Sequence, residues 1–389
     1  MITREARHLL RFKLRTFPVV LVTGPRQCGK TTLARMELPR WRRLDLEKIA
    51  DRELLSFDLQ GFLERNPRRL VIDEAQRLPE LFPALRAAVD ERRTPGRYVL
   101  TGSCDPGLRR GISESLAGRV GVVELAPFSA SELRRTGLRR EARWFWGGFP
   151  PVYGLAAHAK RAAWLEDFVD TLVRRDIPGT GNRLEPERLL KLLQMLSHVH
   201  GNLLNAAELG AALVVSHNTV SRYLDVLEGF FLIRRLQPYF ANIGKRLTKS
   251  PKLYIRDSGV LHHLAGLRHP QDLEIWPRRG ASWEGFVIEE IVQRARLQRP
   301  GIRAYFWRTQ AGAEADLILE EGARRVAMEI KLGAAPAARE LRGLRQCMSD
   351  LGLRKGFLIH GGKGCMPIGH GIAAIPWENL LAERLPVLP

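Results

Sequence analysis

An α/β fold, with strands and helices alternating around a parallel sheet in the N-terminal part, is predicted by three observations. Val19-Val20-Leu21-Val22 is an apolar, mostly β-branched run that leads into Gly24-Pro25-Arg26-Gln27-Cys28-Gly29-Lys30-Thr31, and a helical pattern follows. Leu70-Val71-Ile72 is a second apolar run ending in Asp73-Glu74, and helical stretches separate the two. Strand, helix, strand, helix is the pattern of a parallel sheet, in which ligands lie beyond the carboxyl ends of the strands, where both polar stretches fall.

The first stretch has the form G-x-x-x-x-G-K-T between a strand and a helix, which is a phosphate-binding loop. Gly24 and Gly29 let the backbone fold tightly and turn its N–H groups toward an anion, and the helix from Lys30 adds its positive end. Gly24, Pro25, Arg26, Gln27, Cys28, Gly29, Lys30, Thr31 and Thr32 are the nucleotide-binding candidates. Lys30 is expected to reach the β- and γ-phosphates of ATP, and Thr31 and Asp73 to hold Mg²⁺. Glu74 is expected to orient and deprotonate the attacking water. Thr32 and Leu33 also suit packing of the helix.

At 389 residues the chain is long enough for two or three domains. Its 62 Lys and Arg against 42 Asp and Glu leave a net charge of +20, a field that attracts polyanions, so DNA is the expected partner. Arginines gather at Arg40, Arg42 and Arg43, and at Arg134, Arg135, Arg139, Arg140 and Arg143; either group suits a solvated helix face equally well. The 4 cysteines, Cys28, Cys104, Cys347 and Cys365, have no C-x-x-C spacing, which points away from a zinc site or a disulfide framework. Cys28, inside the loop, is a candidate for a lowered thiol pKa and oxidation. No run approaches the roughly 18 apolar residues that span a bilayer, and the N-terminus lacks a signal-type apolar core, so no membrane association and a cytoplasmic location are expected.

In chain order, residues 4–16 read as an amphipathic helix, 41–47 as a short strand, 51–62 and 83–92 as helices. Arg97–Ser103 reads as a strand ending in hydroxyls, of which Ser103 is the candidate γ-phosphate sensor. Val122–Leu125 reads as a fifth strand. Arg119, just before it, is the candidate arginine finger for this subunit or a neighbour, with Arg109 and Arg110 as competitors.

Gly24–Leu33, Ile72-Asp73-Glu74-Ala75-Gln76, Leu100-Thr101-Gly102-Ser103 and Ser115-Leu116-Ala117-Gly118-Arg119-Val120 together resemble a family of archaeal and bacterial AAA-type ATPases. Gly147-Gly148-Phe149-Pro150 and Arg175-Asp176-Ile177 follow that family's order of motifs, and the likeness runs over nearly the full length. Cys28 stands where an apolar residue is expected. The resemblance implies an ATPase and, because such proteins commonly complete one subunit's site with a neighbour's arginine, a homo-oligomer, with a ring as one form.

After residue 150 helices dominate. Leu203–Ala211 and Ser216–Glu228 form the pattern of a helix-turn-helix, and Phe230–Arg235 suits the wing of a winged helix. His217, Asn218, Ser221 and Arg222 are candidate groove contacts, with Arg234 and Arg235 near backbone phosphates. Such modules also serve as protein-interaction surfaces.

Farther on, Trp283–Arg296 reads as a helix bearing Glu284, Glu289 and Glu290. A hairpin follows, from Glu314-Ala315-Asp316-Leu317-Ile318-Leu319 to Val326–Lys331. Alternation in a strand puts Glu329 and Lys331 on one face, with Asp316 able to lie across from them. A helix carboxylate, an Asp, then Glu-x-Lys resembles the PD-(D/E)XK nuclease fold. The candidates are Glu284, Glu290, Asp316, Glu329 and Lys331, with carboxylates for Mg²⁺ and the lysine steadying developing charge.

The expected organisation is thus an N-terminal P-loop AAA-type ATPase domain (1–150), a helical and winged-helix module (151–250) and an α/β PD-(D/E)XK nuclease-like domain (251–389). The preferred reading is an ATPase acting on or with DNA. The alternatives are an ATP-gated switch or scaffold binding protein partners, and an ATP-controlled Mg²⁺-dependent nuclease in defence or repair.

Overall fold

The computed structural model describes residues 2–102, 112, 114–134, 136–137, 140–180, 184–239, 248–333, 341–382 and 384–389. Ser103, Cys104, Arg109, Arg110, Arg135 and Arg139 lie outside the described residues.

Five strands, β1 (Val19–Thr23), β2 (Arg42–Asp45), β3 (Leu70–Asp73), β4 (Tyr98–Gly102) and β5 (Val120–Glu124), form one sheet in the order β2-β3-β4-β1-β5. Every pairing in it is parallel. Burial on both faces explains the unbroken apolar run of β1. Val19 and Leu21 pack on one side with Leu44, Ile72 and Leu100, while Val20 and Val22 pack on the other with Leu10, Leu33 and Val123. The helix expected over 51–62 is two helices, Ile49–Phe57 and Leu59–Arg65. They part at Asp58, whose Oδ1 accepts the Gly61 N–H at 2.9 Å and caps the second.

The C-terminal half holds a second sheet of eight strands. β6 (Ile233–Pro238) and β7 (Lys252–Ile255) are its first antiparallel pair, and β8 (Arg303–Arg308), β9 (Glu314–Glu321) and β10 (Arg324–Lys331) carry it onward. β11 (Gly356–His360), β12 (Met366–Gly369) and β13 (Ile372–Pro376) complete the order β12-β13-β11-β10-β9-β8-β6-β7. Residue 250 therefore falls between two strands that pair with each other, and one apolar core runs from Leu189 through Leu224 and Ile233 to Val287 and Met328. The strand expected as a wing is part of this sheet.

Three helices precede β6: Pro186–His198, Ala206–Leu213 and His217–Gly229. The sharp stop between the second and third needs Val214 in the left-handed region at φ 55°, and Ser216 caps the third by accepting the Thr219 N–H at 3.2 Å. Among the described residues no helix is long and apolar enough to cross a membrane.

Candidate functional site

The loop after β1 is tight because it touches the strand beside it. A Cβ on Gly24 would stand 2.0 Å from the Leu125 carbonyl oxygen, and Gly29 starts the Lys30–Glu37 helix at φ 99°. Both positions require glycine. The buried Lys30 ammonium folds back on its own loop, donating to the Gly24 and Pro25 carbonyls at 3.2 and 3.0 Å.

At the end of β3, Asp73 meets the loop. The Thr31 hydroxyl donates to Asp73 Oδ2 at 2.5 Å, and the buried Thr101 hydroxyl of β4 donates to Oδ1. Burial pushes the Asp73 carboxyl above its ordinary range. A cavity of about 80 Å³ opens beside Thr31, Asp45 and Asp73, so a hydroxyl, carboxylates and free space converge as a Mg²⁺ site requires. Glu74, half-buried, adopts φ 53° and accepts from Gln76 Nε2 at 2.6 Å. A non-glycine residue in that region, at the carboxyl end of a central strand, fits a functional rather than a packing role.

Two further residues hold the loop: Arg4, which no motif marks, and Asp176, within the Arg175-Asp176-Ile177 stretch. Arg4, only 6% exposed, donates from Nη1 to the Cys28 carbonyl at 2.7 Å, and its Nε lies 3.2 Å from Glu132. Glu132 in turn accepts from Ser129 N–H at 3.0 Å, while its own N–H donates to Ser129 Oγ at 3.2 Å. Ser129-x-x-Glu132 is a capping box, the one signal in the sequence that marks this strut. Asp176 is the second: its carboxylate pairs with Arg26 of the loop, whose Nη2 also lies 3.4 Å from Glu47. The Arg26–Asp176 pair links the nucleotide loop directly to the helical segment at Leu172–Asp176, whose apolar residues share one core with the second sheet.

Two expectations for this region are narrowed. Arg119 lies at the opposite end of the strands from the loop, which tells against a finger for its own chain's site: its carbonyl accepts the N–H of Val19, the first residue of β1, at 3.3 Å, and its side chain pairs with Asp90 at 2.7 Å. The length of a five-residue strand, about 17 Å, separates it from the loop of its own chain. Burial pushes the Cys28 thiol up, so the loop cysteine is not an activated thiolate. Thr32 is exposed beside the buried Leu33, which leaves its part in nucleotide binding open to solvent, and Thr101 adds a hydroxyl that faces Asp73 from β4.

On the C-terminal sheet, Glu284, Asp316, Glu329 and Lys331 come together as the spacing predicts. Lys331 Nζ lies 2.6 Å from Glu329 Oε1, and Asp316 Oδ2 accepts the Ile330 N–H at 2.8 Å. Burial, with Glu329 and Glu284 nearby, pushes Asp316 well above its usual range, and burial takes Glu329 up to about 7. The sequence reading did not include Lys252 of β7, which enters the centre of this group. Its Nζ is 2.9 Å from Glu284 Oε1, pairs with Glu314, and stands 3.9 Å from Asp316 Oδ1. Tyr254 donates to the same Glu284 oxygen at 2.5 Å.

Glu290 does not join them. Six residues along a helix turn it about 120° from Glu284, and its Oε1 accepts the Ala130 N–H at 2.8 Å instead. Arg234 and Arg235 are not free for phosphates either. Arg234 is buried against Glu289 at 2.7 Å, and Arg235 pairs with Glu228 and with Asp225 at 2.7 Å. Glu289 also holds Arg256, which reaches Glu124 at the end of β5 at 2.7 Å. Burial works against the Glu289 charge, but Arg234 and Arg256 outweigh it and hold this carboxyl well below its ordinary range. On the His217–Gly229 helix, His217, Asn218 and Arg222 are exposed and Ser221 is half-buried.

This sheet order, with the loop after β1 and Asp73 beside Thr31, defines a P-loop protein, and residues 16–134 match the family model described as AAA domain. Residues 137–271 and 279–380 match two models described as domains of unknown function, DUF8612 and DUF4143. The chain is 39% identical over 386 residues to the uncharacterized protein Rv2008c of Mycobacterium tuberculosis, covering 97% of this chain and 84% of that one, and it belongs to the family of that protein. An uncharacterized protein of Haemophilus influenzae is 25% identical over 339 residues, covering 76% and 79%. Among solved structures, the Walker-type ATPase PABY2304 of Pyrococcus abyssi is similar at 18% identity and a TM-score of 0.47, covering 68% of this chain and 96% of that one. The Thermotoga maritima RuvB Holliday junction branch migration motor is similar at 21% identity and a TM-score of 0.30, covering 60% and 90%.

Proposed function

We propose that this protein binds and hydrolyses ATP at the Gly24–Thr31 loop and passes the state of that site to a C-terminal half that engages DNA. The observation that carries the reading is the convergence of Thr31 and Asp73 beside a buried Lys30 at the ends of two parallel strands. Thr31 would hold Mg²⁺ directly and Asp73 through water; the ion, when bound, neutralises charge on the β- and γ-phosphates. Lys30 exchanges its two loop carbonyls for phosphate oxygens, and Glu74 orients and deprotonates the attacking water. Arg119, remote from the loop of its own chain, is retained in this reading as a finger for a neighbouring copy in a homo-oligomer.

The three helices before β6, with the exposed His217, Asn218 and Arg222, fit a winged-helix reader, and the net charge of +20 supports a polyanion as its ligand. The Arg26–Asp176 pair also favours a second reading, an ATP-gated switch for a protein partner. One assay tests both. Glu74→Gln should keep ATP binding and lose about 10²–10⁴-fold in turnover, and duplex, forked or junction DNA should stimulate the wild type. Normal turnover in that variant would overturn the assignment of Glu74; turnover indifferent to every DNA would favour the switch.

A further inference from the structure

The Asp316/Glu329-x-Lys331 group resembles a metal-dependent nuclease centre, but a cation of the chain itself already lies among the carboxylates beside it, Glu284, Glu314 and Asp316. Lys252 Nζ is within 2.9 Å of Glu284, in contact with Glu314, and 3.9 Å from Asp316, and the residue is 3% exposed. Divalent ions sit about 2.0–2.6 Å from carboxylate oxygens, so a metal among the same three side chains would overlap this ammonium. The lysine is not a loose side chain swung in from solvent. It lies on β7, paired with Leu236 of β6 on one side and bridged to Leu203 on the other, which fixes where its side chain starts. Glu284 is further committed: one of its oxygens serves both Lys252 and the Tyr254 hydroxyl. Among the described residues, no group of three or more His, Cys, Asp and Glu side chains is set to hold a metal ion.

We infer that Lys252 is a built-in cation occupying the place of a divalent metal, so that this cluster ties β7 to β9 across the sheet and to the Arg279–Gln298 helix, and does not cut nucleic acid. Burial opposes the charge on Lys252, but Glu284, Asp316 and Glu314 together hold its ammonium well above the ordinary lysine range, so it stays charged in place. The consequence for the molecule is mechanical. The strand pair that follows the His217–Gly229 helix is riveted by charge to β9, and motion of that helix is shared with the whole sheet.

The test is calorimetric titration of metal-stripped, nucleotide-free protein with Mn²⁺, alongside the same titration of Asp316→Asn. Wild type should give no binding that Asp316→Asn removes. Lys252→Ala, and Lys252→Met as a variant that keeps the apolar stem, should bind Mn²⁺ at least about tenfold more tightly than wild type, and adding Asp316→Asn should abolish the gain. A wild-type Mn²⁺ site lost in Asp316→Asn would overturn the inference, as would folded Lys252 variants that gain no affinity. If neither variant folds, the wild-type comparison with Asp316→Asn still decides.

Discussion

Arg26, inside the nucleotide loop, is paired with Asp176, which lies 150 residues away in the helical segment that follows the first sheet. The Asp176 side chain is 10% exposed and also receives Arg175 at 3.1 Å, so two cations converge on one carboxylate. Any rearrangement of the loop around a triphosphate must move Arg26, and with it the turn of π-helix at Leu172–Asp176. In the proposed function, this pair is the link through which occupancy of the loop would reach the segment around Asp176.

Asp176→Asn should therefore leave the fold intact and uncouple the two halves. The pair is partly solvated, so its loss should cost about 0.5–1 kcal/mol of stability. Hydrogen exchange at residues 172–177 should change on adding a non-hydrolysable ATP analogue in the wild type and stay constant in the variant. Equal nucleotide responses in both proteins would show that the pair transmits nothing.

Arg4 supports the loop from beneath. Replacing it by alanine leaves the buried Glu132 unpaired and removes the donor to the Cys28 carbonyl. Breaking one side of a buried ion pair costs about 3–5 kcal/mol. Urea unfolding of Arg4→Ala should show a loss of that order, and ATP affinity should fall with it because the loop loses its floor. A variant within about 1 kcal/mol of wild type, with unchanged affinity, would rule out the strut.

Glu290 predicts a pH dependence. Burial raises its carboxyl to about 8 despite the Ala130 N–H and Arg294, with Glu5 and Glu132 adding like charge. The folded state thus holds the proton more tightly than the unfolded chain. The stabilisation is complete below the ordinary carboxylate range and is lost as pH rises through about 8. Glu290→Gln keeps an oxygen for the Ala130 N–H without the ionisation. It should melt about 2–4 °C above wild type at pH 9 and no higher than wild type at pH 5. An advantage that is the same at both pH values would show that the carboxyl does not titrate with folding.

The N-terminal site was legible because phosphate binding demands a local pattern. The β1 run, Gly24, Gly29, Lys30 and Thr31 are contiguous, and Asp73 announces itself as a carboxylate at the end of an apolar strand. The Ala206–Leu213 and His217–Gly229 helices were legible for a similar reason, a cap at Ser216 and a polar face beyond it. What could not be read were the partners. Lys252 lies 64 residues before Asp316, and Arg4 lies 128 before Glu132; nothing in their neighbours distinguishes them from surface cations. Arg234 and Arg235 were misread because a basic pair after a helix-turn-helix looks the same whether it faces phosphate or Glu289 and Glu228. Net charge carried the same ambiguity, since many arginines are spent on internal pairs.

That last point sharpens the expectation for DNA. With Arg234 and Arg235 bound internally, the exposed Arg222 is the cation that the His217–Gly229 helix itself offers. If the helix docks on the duplex, Arg222→Ala should weaken binding at low salt and reduce the slope of log affinity against log salt by about one, the loss of a single phosphate contact. Arg235→Ala should instead lower stability, by freeing Glu228 and Asp225, and leave that slope unchanged. Fluorescence anisotropy with a labelled duplex at several salt concentrations separates the two outcomes. A slope altered by Arg235→Ala and untouched by Arg222→Ala would place the nucleic-acid surface elsewhere on the molecule.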